Sequence, residues 1–443
     1  MKINSMYSVK IKHYSNIFKN TVLLYRDAVK FFIDVCLCEW DFVSVINNNN
    51  HRMTYVENIT VSTKSHPVVK YDFSDQFYKF PCYLRRAAIV EAIGKVSSYK
   101  SNLDNWNNSN KSTKKPSFPK AGNICPVMYH GNMFEKLDTY RAKVKVFIRN
   151  TWDWLTIDLK KSDVNYILKH CSDKHECSPV LQKRGKEWFL DFCYQESVDL
   201  NQTDVYHQNI LAVDLGLNSA CTCSVMQSDG TIVARKFLKL ASEYDCLDHA
   251  FNRIKKAYQN GNRKMPRLWA KVKGITKDIS SKTANYIIDI AVAYNCDVIV
   301  FEYLDLSGKK KGRGKQRLHH WKAKAVQSIV SNKAHRNGMR IARVNAWNTS
   351  RLAFDGSGFV TRGKYAGFES YSFCRFQNNK IYNCDLSASY NIGARYFIRE
   401  ILKSLPEKER LRVVTEVSQL GKRSTCTWID LVKLNAVFNA LVA

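Results

Sequence analysis

Three carboxylates in this 443-residue chain stand where carboxylates are costly. Asp214 ends the apolar run Ile210-Leu211-Ala212-Val213, and Glu302 ends Val298-Ile299-Val300-Phe301. Asp385 opens a segment with Ala388, Ile392, Ala394, Phe397 and Ile398 at helical spacing. An acid in such a setting is tolerated only if something pairs with it. Divalent cations are the usual solution, because Mg2+ takes hard oxygen ligands and keeps positions open for phosphate oxygens. Two such ions about 4 Å apart can activate a water and stabilise the leaving oxygen of a phosphodiester. Each acid alone reads as a turn or cap residue. Taken together in this order they read as a metal-ion site for phosphoryl chemistry.

The elements that must position these acids are legible in outline. Ile210–Gly216 reads as a buried strand, followed by a strand over Ser219–Met226, a turn at Ser228-Asp229-Gly230, and a third strand over Thr231–Leu240. Apolar spacing at Ile279, Ala284, Ile287, Ile288, Ala291 and Val292 predicts a helix over 276–295. The acid-tipped strand 297–302 and the acid-headed helix from Asp385 complete the set. This is the element order of a ribonuclease-H-like core. Upstream, residues 6–13 alternate as a strand, 18–40 read as a helix, and Pro81 opens a second helix through Val96. The Asn-, Ser-, Lys- and Pro-rich stretch 101–119 reads as a loop. Short strands over 144–148, 154–157 and 187–192 then suggest a small barrel with helices inserted into it. The expected fold class is α/β plus α+β, multidomain, which suits the roughly 150 residues of a typical domain.

Composition limits the partners. Lys and Arg number 69 against 39 Asp and Glu, a formal charge of +30, and aromatics make up 12%. A folded, aromatic-rich cation of this size is suited to a polyanion, with rings stacking on bases and cations holding phosphates. The 45% hydrophobic content excludes wholesale disorder. Neither a signal-peptide run after Met1–Ser5 nor a membrane-length apolar stretch is evident, so no membrane partner and a cytosolic, nucleoid-associated location are expected. The fourteen cysteines then read as reduced thiols. No C-x-x-C occurs, and the Cys171, His175, Cys177 cluster lacks a fourth ligand for zinc. The run Lys309-Lys310-Lys311-Gly312-Arg313-Gly314-Lys315-Gln316-Arg317 follows the Glu302 strand. It is either solvated surface or a phosphate-binding segment, with Lys309, Lys310, Lys311, Arg313, Lys315 and Arg317 as its candidate contacts.

Three stretches resemble the transposon-encoded TnpB proteins and the compact Cas12 nucleases of type V CRISPR systems. Val213-Asp214-Leu215-Gly216-Leu217-Asn218 is similar to their first RuvC motif and Val300-Phe301-Glu302-Tyr303-Leu304 to the second. Asp385-Leu386-Ser387-Ala388-Ser389-Tyr390-Asn391-Ile392 is similar to the D-x-N-A-A-x-N-I motif, with Ser387 in place of Asn. Gly338–Val344 ahead of Asn348-Thr349-Ser350 also follows the family. The resemblance implies an RNA-guided DNA endonuclease with Asp214, Glu302 and Asp385 as catalytic ligands of Mg2+, for which Mn2+ would substitute. Its partners would be a guide RNA and target DNA, with pairing reading the sequence. It also implies a wedge barrel over 1–15 and 131–205, recognition helices over 16–130, and a RuvC core over 206–348 and 385–399. A degenerate zinc ribbon would occupy 349–384 and a helical tail 400–443. The ribbon departs from the family pattern. Arg351–Gly356 holds no cysteine, and Cys374 is followed by Gln377 where its partner belongs. No structural zinc is therefore expected, and 349–384 is expected to serve as a metal-free nucleic-acid-binding loop. Three other readings remain. They are a nuclease-decayed RNA-guided DNA-binding relative, an actin- or sugar-kinase-type ATPase suggested by Val213–Ser219, and a DDE-type transposase.

Overall fold

In the computed structural model the described residues are 1–12, 16–64, 67–109, 114–216, 219–304 and 323–442. The chain divides into two compact units, Lys2–Glu196 and Ser197–Ala443 with Met1.

The first unit is built on two small sheets and a set of helices that share one core. Strand Lys2–Lys10 pairs with Glu187–Ser197, which also pairs with Val180–Arg184 and His175–Glu176. Arg141–Ile148 lies between Phe134–Lys136 and Thr151–Asp158, antiparallel to both. Helices Asn16–Cys38, Asn49–Thr60 and Cys82–Asn107, with two shorter ones, follow the first strand, and helix Lys161–Cys171 follows strand Thr151–Asp158. Phe18, Phe32, Phe73, Leu84, Ile89 and Phe134 are fully buried in this core. The Cys82 helix continues to Asn107, past the loop expected from Ser101. Tyr99, Leu103 and Trp106 keep the 3–4 residue apolar spacing there, and that spacing outweighs the polar composition.

The second unit centres on a five-stranded sheet ordered Ile232–Leu238, Cys221–Gln227, Asn209–Asp214, Val298–Tyr303, Arg340–Asn345. The first three form an antiparallel meander, and the last two run parallel to Asn209–Asp214. Ile210, Leu211, Ala212, Val298, Ile299 and Val300 are buried to 1% exposure or less, as strands covered on both faces require. Helix Pro266–Ala293 starts ten residues before the helix expected at 276, with Pro266 in the first turn where its missing N–H costs nothing. It covers one face together with Ala323–Arg336. Helix Cys384–Ser404 covers the other, and Gly393 lets it approach closely. A Cβ there would come within 2.9 Å of Met226 and 3.3 Å of Ala212. Two elements that the sequence reading passed over are helix Ala241–Gln259 and helix Ala323–Arg336. The tail does form a helical pair, Glu407–Glu416 and Trp428–Val442, joined by a 3-10 segment. No helix among the described residues is long and apolar enough to cross a membrane.

Candidate active site

Asp214 and Glu302 are brought together by strand register. In the parallel pairing Val213 lies opposite Phe301, so the two acids fall one residue later at the same level of neighbouring strands. Such strands run about 4.8 Å apart. Both acids are half-buried at the carboxyl ends of their strands, the end at which open α/β sheets place their ligands. The chain turns sharply after Asp214. A Cβ on Gly216 would stand 2.8 Å from the Ser219 carbonyl oxygen, so only glycine fits there. Leu217 and Asn218 lie outside the described residues.

Asp385 is in the first turn of the Cys384 helix, where the helix dipole favours a negative charge. The Asn383 side chain caps that helix by accepting from the Leu386 amide at 2.9 Å. Ser389 and Ser224 are hydrogen-bonded at 2.8 Å between helix and sheet, which with Gly393 fixes how the helix lies. Asp385 thereby joins the electrostatic environment of Asp214.

The charges of Glu302 and Asp385 both bear on Asp214. Burial pushes the Asp214 carboxyl well above the usual carboxylate range, and the charges of Glu302 and Asp385 push it further. Burial also raises Glu302, against the Thr349 hydroxyl and the Arg395 guanidinium, which pull it down. Asp385 is raised by burial and pulled back by Arg362. A gathering of under-compensated carboxylates is the donor chemistry that suits Mg2+. Their side chains are not closed onto a common point. Among the described residues no group of three or more His, Cys, Asp or Glu is spaced to hold a metal ion.

The sequence reading did not identify the groups that surround the acids. Thr349 donates its hydroxyl to Glu302 Oε1. Arg362 donates to the Ser350 carbonyl and lowers the proton affinity of both Asp214 and Asp385. Arg395 is 4% exposed, a buried guanidinium one turn after the buried Asn391 on the Cys384 helix. The available signal was an arginine between Ala394 and Tyr396 in a run that the helical period buries.

The segment expected to be a degenerate ribbon folds as a three-stranded antiparallel sheet of Thr361–Arg362, Phe373–Arg375 and Ile381–Asn383. Phe354 anchors it, with ring centroids 5.6 Å from Phe376, 4.9 Å from Tyr382, 5.3 Å from Tyr390 and 5.8 Å from Trp428. The Lys380 ammonium lies 4.8 Å from the Phe354 ring. Trp347, Phe359, Tyr365 and Tyr371 are exposed along this segment, and the Arg351 guanidinium sits 5.4 Å over Phe359. Exposed rings among cations form a surface on which bases can stack. The basic candidates Lys309, Lys310, Lys311, Arg313, Lys315 and Arg317 lie outside the described residues.

Comparison with known proteins agrees with this division. A family model described as "Probable transposase" matches residues 191–307, and one described as "Aq_aa04 family" matches residues 5–148. A TnpB-like protein, aq_aa05, of Aquifex aeolicus (strain VF5) is 25% identical over 240 residues, covering 48% of this chain and 76% of that protein. The uncharacterized protein aq_aa04 of the same strain is 37% identical over 83 residues, covering 18% of this chain. The chain spans about half the length of that relative, 46%. In fold the chain is similar to the cryo-EM structure of a Cas12f1–sgRNA–target DNA complex, with TM-score 0.51 and 15% identity. The similarity covers 85% of this chain and 81% of that one.

Proposed function

The chain belongs to the family of TnpB proteins and compact Cas12 nucleases, and from that premise we propose that it is an RNA-guided DNA endonuclease. The observation that carries the proposal is the placement of Asp214 and Glu302 level on adjacent parallel strands, with Asp385 adding its charge from the helix packed on the same sheet. In this reading the five-stranded sheet and its helices are a RuvC-type, ribonuclease-H-like core. The first unit supplies the wedge barrel and recognition helices that hold guide RNA and target DNA.

Asp214, Glu302 and Asp385 are the acids that would hold the metal, and their side chains would have to close onto it to do so. When bound, Mg2+ supplies an activated water and stabilises the leaving oxygen of the cut phosphodiester. The protein's own contributions follow from its side chains. The carboxylates must be ionised, and Arg362 favours that state for Asp214 and Asp385. Its guanidinium also offsets the negative charge of an incoming phosphate. Thr349 orients the Glu302 carboxylate. Trp347, Phe359, Tyr365 and Tyr371 offer stacking faces to an unpaired strand, while the ring contacts of Phe354 tie their segment to the Cys384 helix that carries Asp385.

A pH dependence follows. All three acids hold their protons more tightly than ordinary carboxylates, so they ionise only at higher pH. Cleavage should therefore decline on acidification well before the pH of about 4 at which ordinary Asp and Glu titrate. Arg362→Gln removes the charge that pulls Asp214 and Asp385 down. Its acid limb should move to higher pH than wild type, measured as single-turnover cleavage across pH 5–8. An unmoved limb would remove Arg362 from the electrostatic account.

The test of the function is direct. The protein, purified with co-expressed RNA, should cut double-stranded DNA that matches the RNA and should require Mg2+ for it. Binding to matched DNA without cutting would favour a nuclease-decayed relative that only occupies its target.

A further inference from the structure

Two buried polar side chains on the Cys384 helix, Asn391 and Arg395, stand one turn apart and join the C-terminal tail to the loop beside Glu302. On the tail side, the Trp428 amide donates to Asn391 Oδ1 at 3.1 Å, and Arg395 Nε donates to the Cys426 carbonyl at 2.9 Å. On the loop side, Asn391 Nδ2 donates to the carbonyls of Thr349 at 3.0 Å and Leu352 at 2.9 Å. Arg395 Nη1 donates to the carbonyls of Asn345 and Trp347, both at 2.8 Å. The loop they hold presents the Thr349 hydroxyl to Glu302. Asp430 steadies the tail end of the chain by accepting from both the amide and the hydroxyl of Thr427, at 2.7 and 2.9 Å.

We propose that the tail turn 426–430, through Arg395 and Asn391, is a positioning brace that fixes Thr349 and hence the Glu302 carboxylate. The inference rests on the nuclease reading above and gives the 400–443 tail a role in it. The Arg395 charge is felt by Glu302, but all its hydrogen bonds go to backbone carbonyls, those of Asn345 and Trp347 on the loop side and Cys426 on the tail side, so its positioning role runs through that backbone. A buried guanidinium is costly to desolvate, and a plain helix-packing role would be filled better by an apolar side chain. Arginine is required because three carbonyls in two directions need its rigid fork of donors, and lysine cannot span them. Groups that orient a metal ligand typically change metal affinity 10–100-fold when removed.

The test uses the full-length protein and two readouts. The first is the Mg2+ concentration that gives half of the Mg2+-induced rise in melting temperature. Thr349→Val, which keeps the shape and removes the hydroxyl, should raise it about tenfold, and Arg395→Lys should raise it as well. Thr349→Ser should restore the wild-type value. The double variant Thr349→Val/Arg395→Lys should match the stronger single variant, because both act through one contact. An unchanged midpoint in Thr349→Val, or effects that multiply in the double variant, would overturn the brace. The second readout is hydrogen exchange. Arg395→Lys and Asp430→Ala should speed exchange of the 345–352 amides, and unchanged protection there would overturn the brace. If wild type shows no Mg2+ response at all, the nuclease reading fails, and hydrogen exchange alone then decides whether the tail holds the loop.

Discussion

Asp214→Asn should melt at a higher temperature than wild type without metal, and should cut DNA at least ~10^3-fold more slowly with it. The stability effect follows from the sign of the shift. The folded protein holds the Asp214 proton more tightly than the unfolded chain does, because of burial and the charges of Glu302 and Asp385. Such a group contributes fully to stability below its unfolded pKa near 4, and that contribution is lost as pH rises through the folded value. At pH 7, above the unfolded pKa, the raised proton affinity of this buried acid therefore burdens the fold, and asparagine removes the burden. A gain of about 1 kcal/mol would appear as roughly 2–4 °C in a unit of this size. Mg2+ should reverse the order. A ligand that binds only the folded state at 100 times its dissociation constant adds about 2.7 kcal/mol, and only wild type retains the full set of acids. Thermal melts with and without Mg2+ check this. A metal-free Asp214→Asn protein that melts below wild type would show that the three acids do not oppose one another.

Phe354→Ala should cost about 3–5 kcal/mol, the range for deleting a large buried aromatic. Phe354 is 8% exposed and meets four rings, from Phe376, Tyr382, Tyr390 and Trp428. It thus ties the 361–383 sheet both to the Cys384 helix and to the tail. In this account an aromatic cluster does the work that a tetrahedral metal would do in a ribbon. The expected result is a large fall in melting temperature together with early proteolysis between 353 and 383. A zinc chelator should leave the wild-type melting temperature unchanged. Rapid proteolysis of wild type on chelation, or a Phe354→Ala protein as stable as wild type, would contradict the account.

The central sheet was largely readable because its strands carry the signals that periodicity detects. Ile210–Val213 and Val298–Phe301 are short apolar runs, and each is tipped by an acid that their burial makes conspicuous. The alanine-bearing helix from Asp385 has the same clarity. Helices Ala241–Gln259 and Ala323–Arg336 were missed because they are strongly polar outside one narrow stripe, as in Leu247, Ala250, Phe251 and Ile254. The loop expected from Ser101 was misread for a related reason, since Asn- and Ser-rich composition masked the spacing of Tyr99, Leu103 and Trp106. Within the site, the acids were legible and their supports were not. Thr349, Arg362 and Arg395 reach the acids from segments 47, 60 and 93 residues beyond Glu302, and only the folded chain brings them there. Nothing about an isolated Thr or Arg marks it as the partner of a particular carboxylate.

The most direct measurement of the central claim is single-turnover cleavage by wild type carrying one defined RNA. Two duplexes of equal composition would be compared, one matching that RNA and one scrambled, each with Mg2+ and with chelator. The account predicts cutting of the matched duplex alone, only with Mg2+, and a switch of target when the RNA is changed. Cutting of both duplexes alike, or matched binding without any cutting, would contradict it.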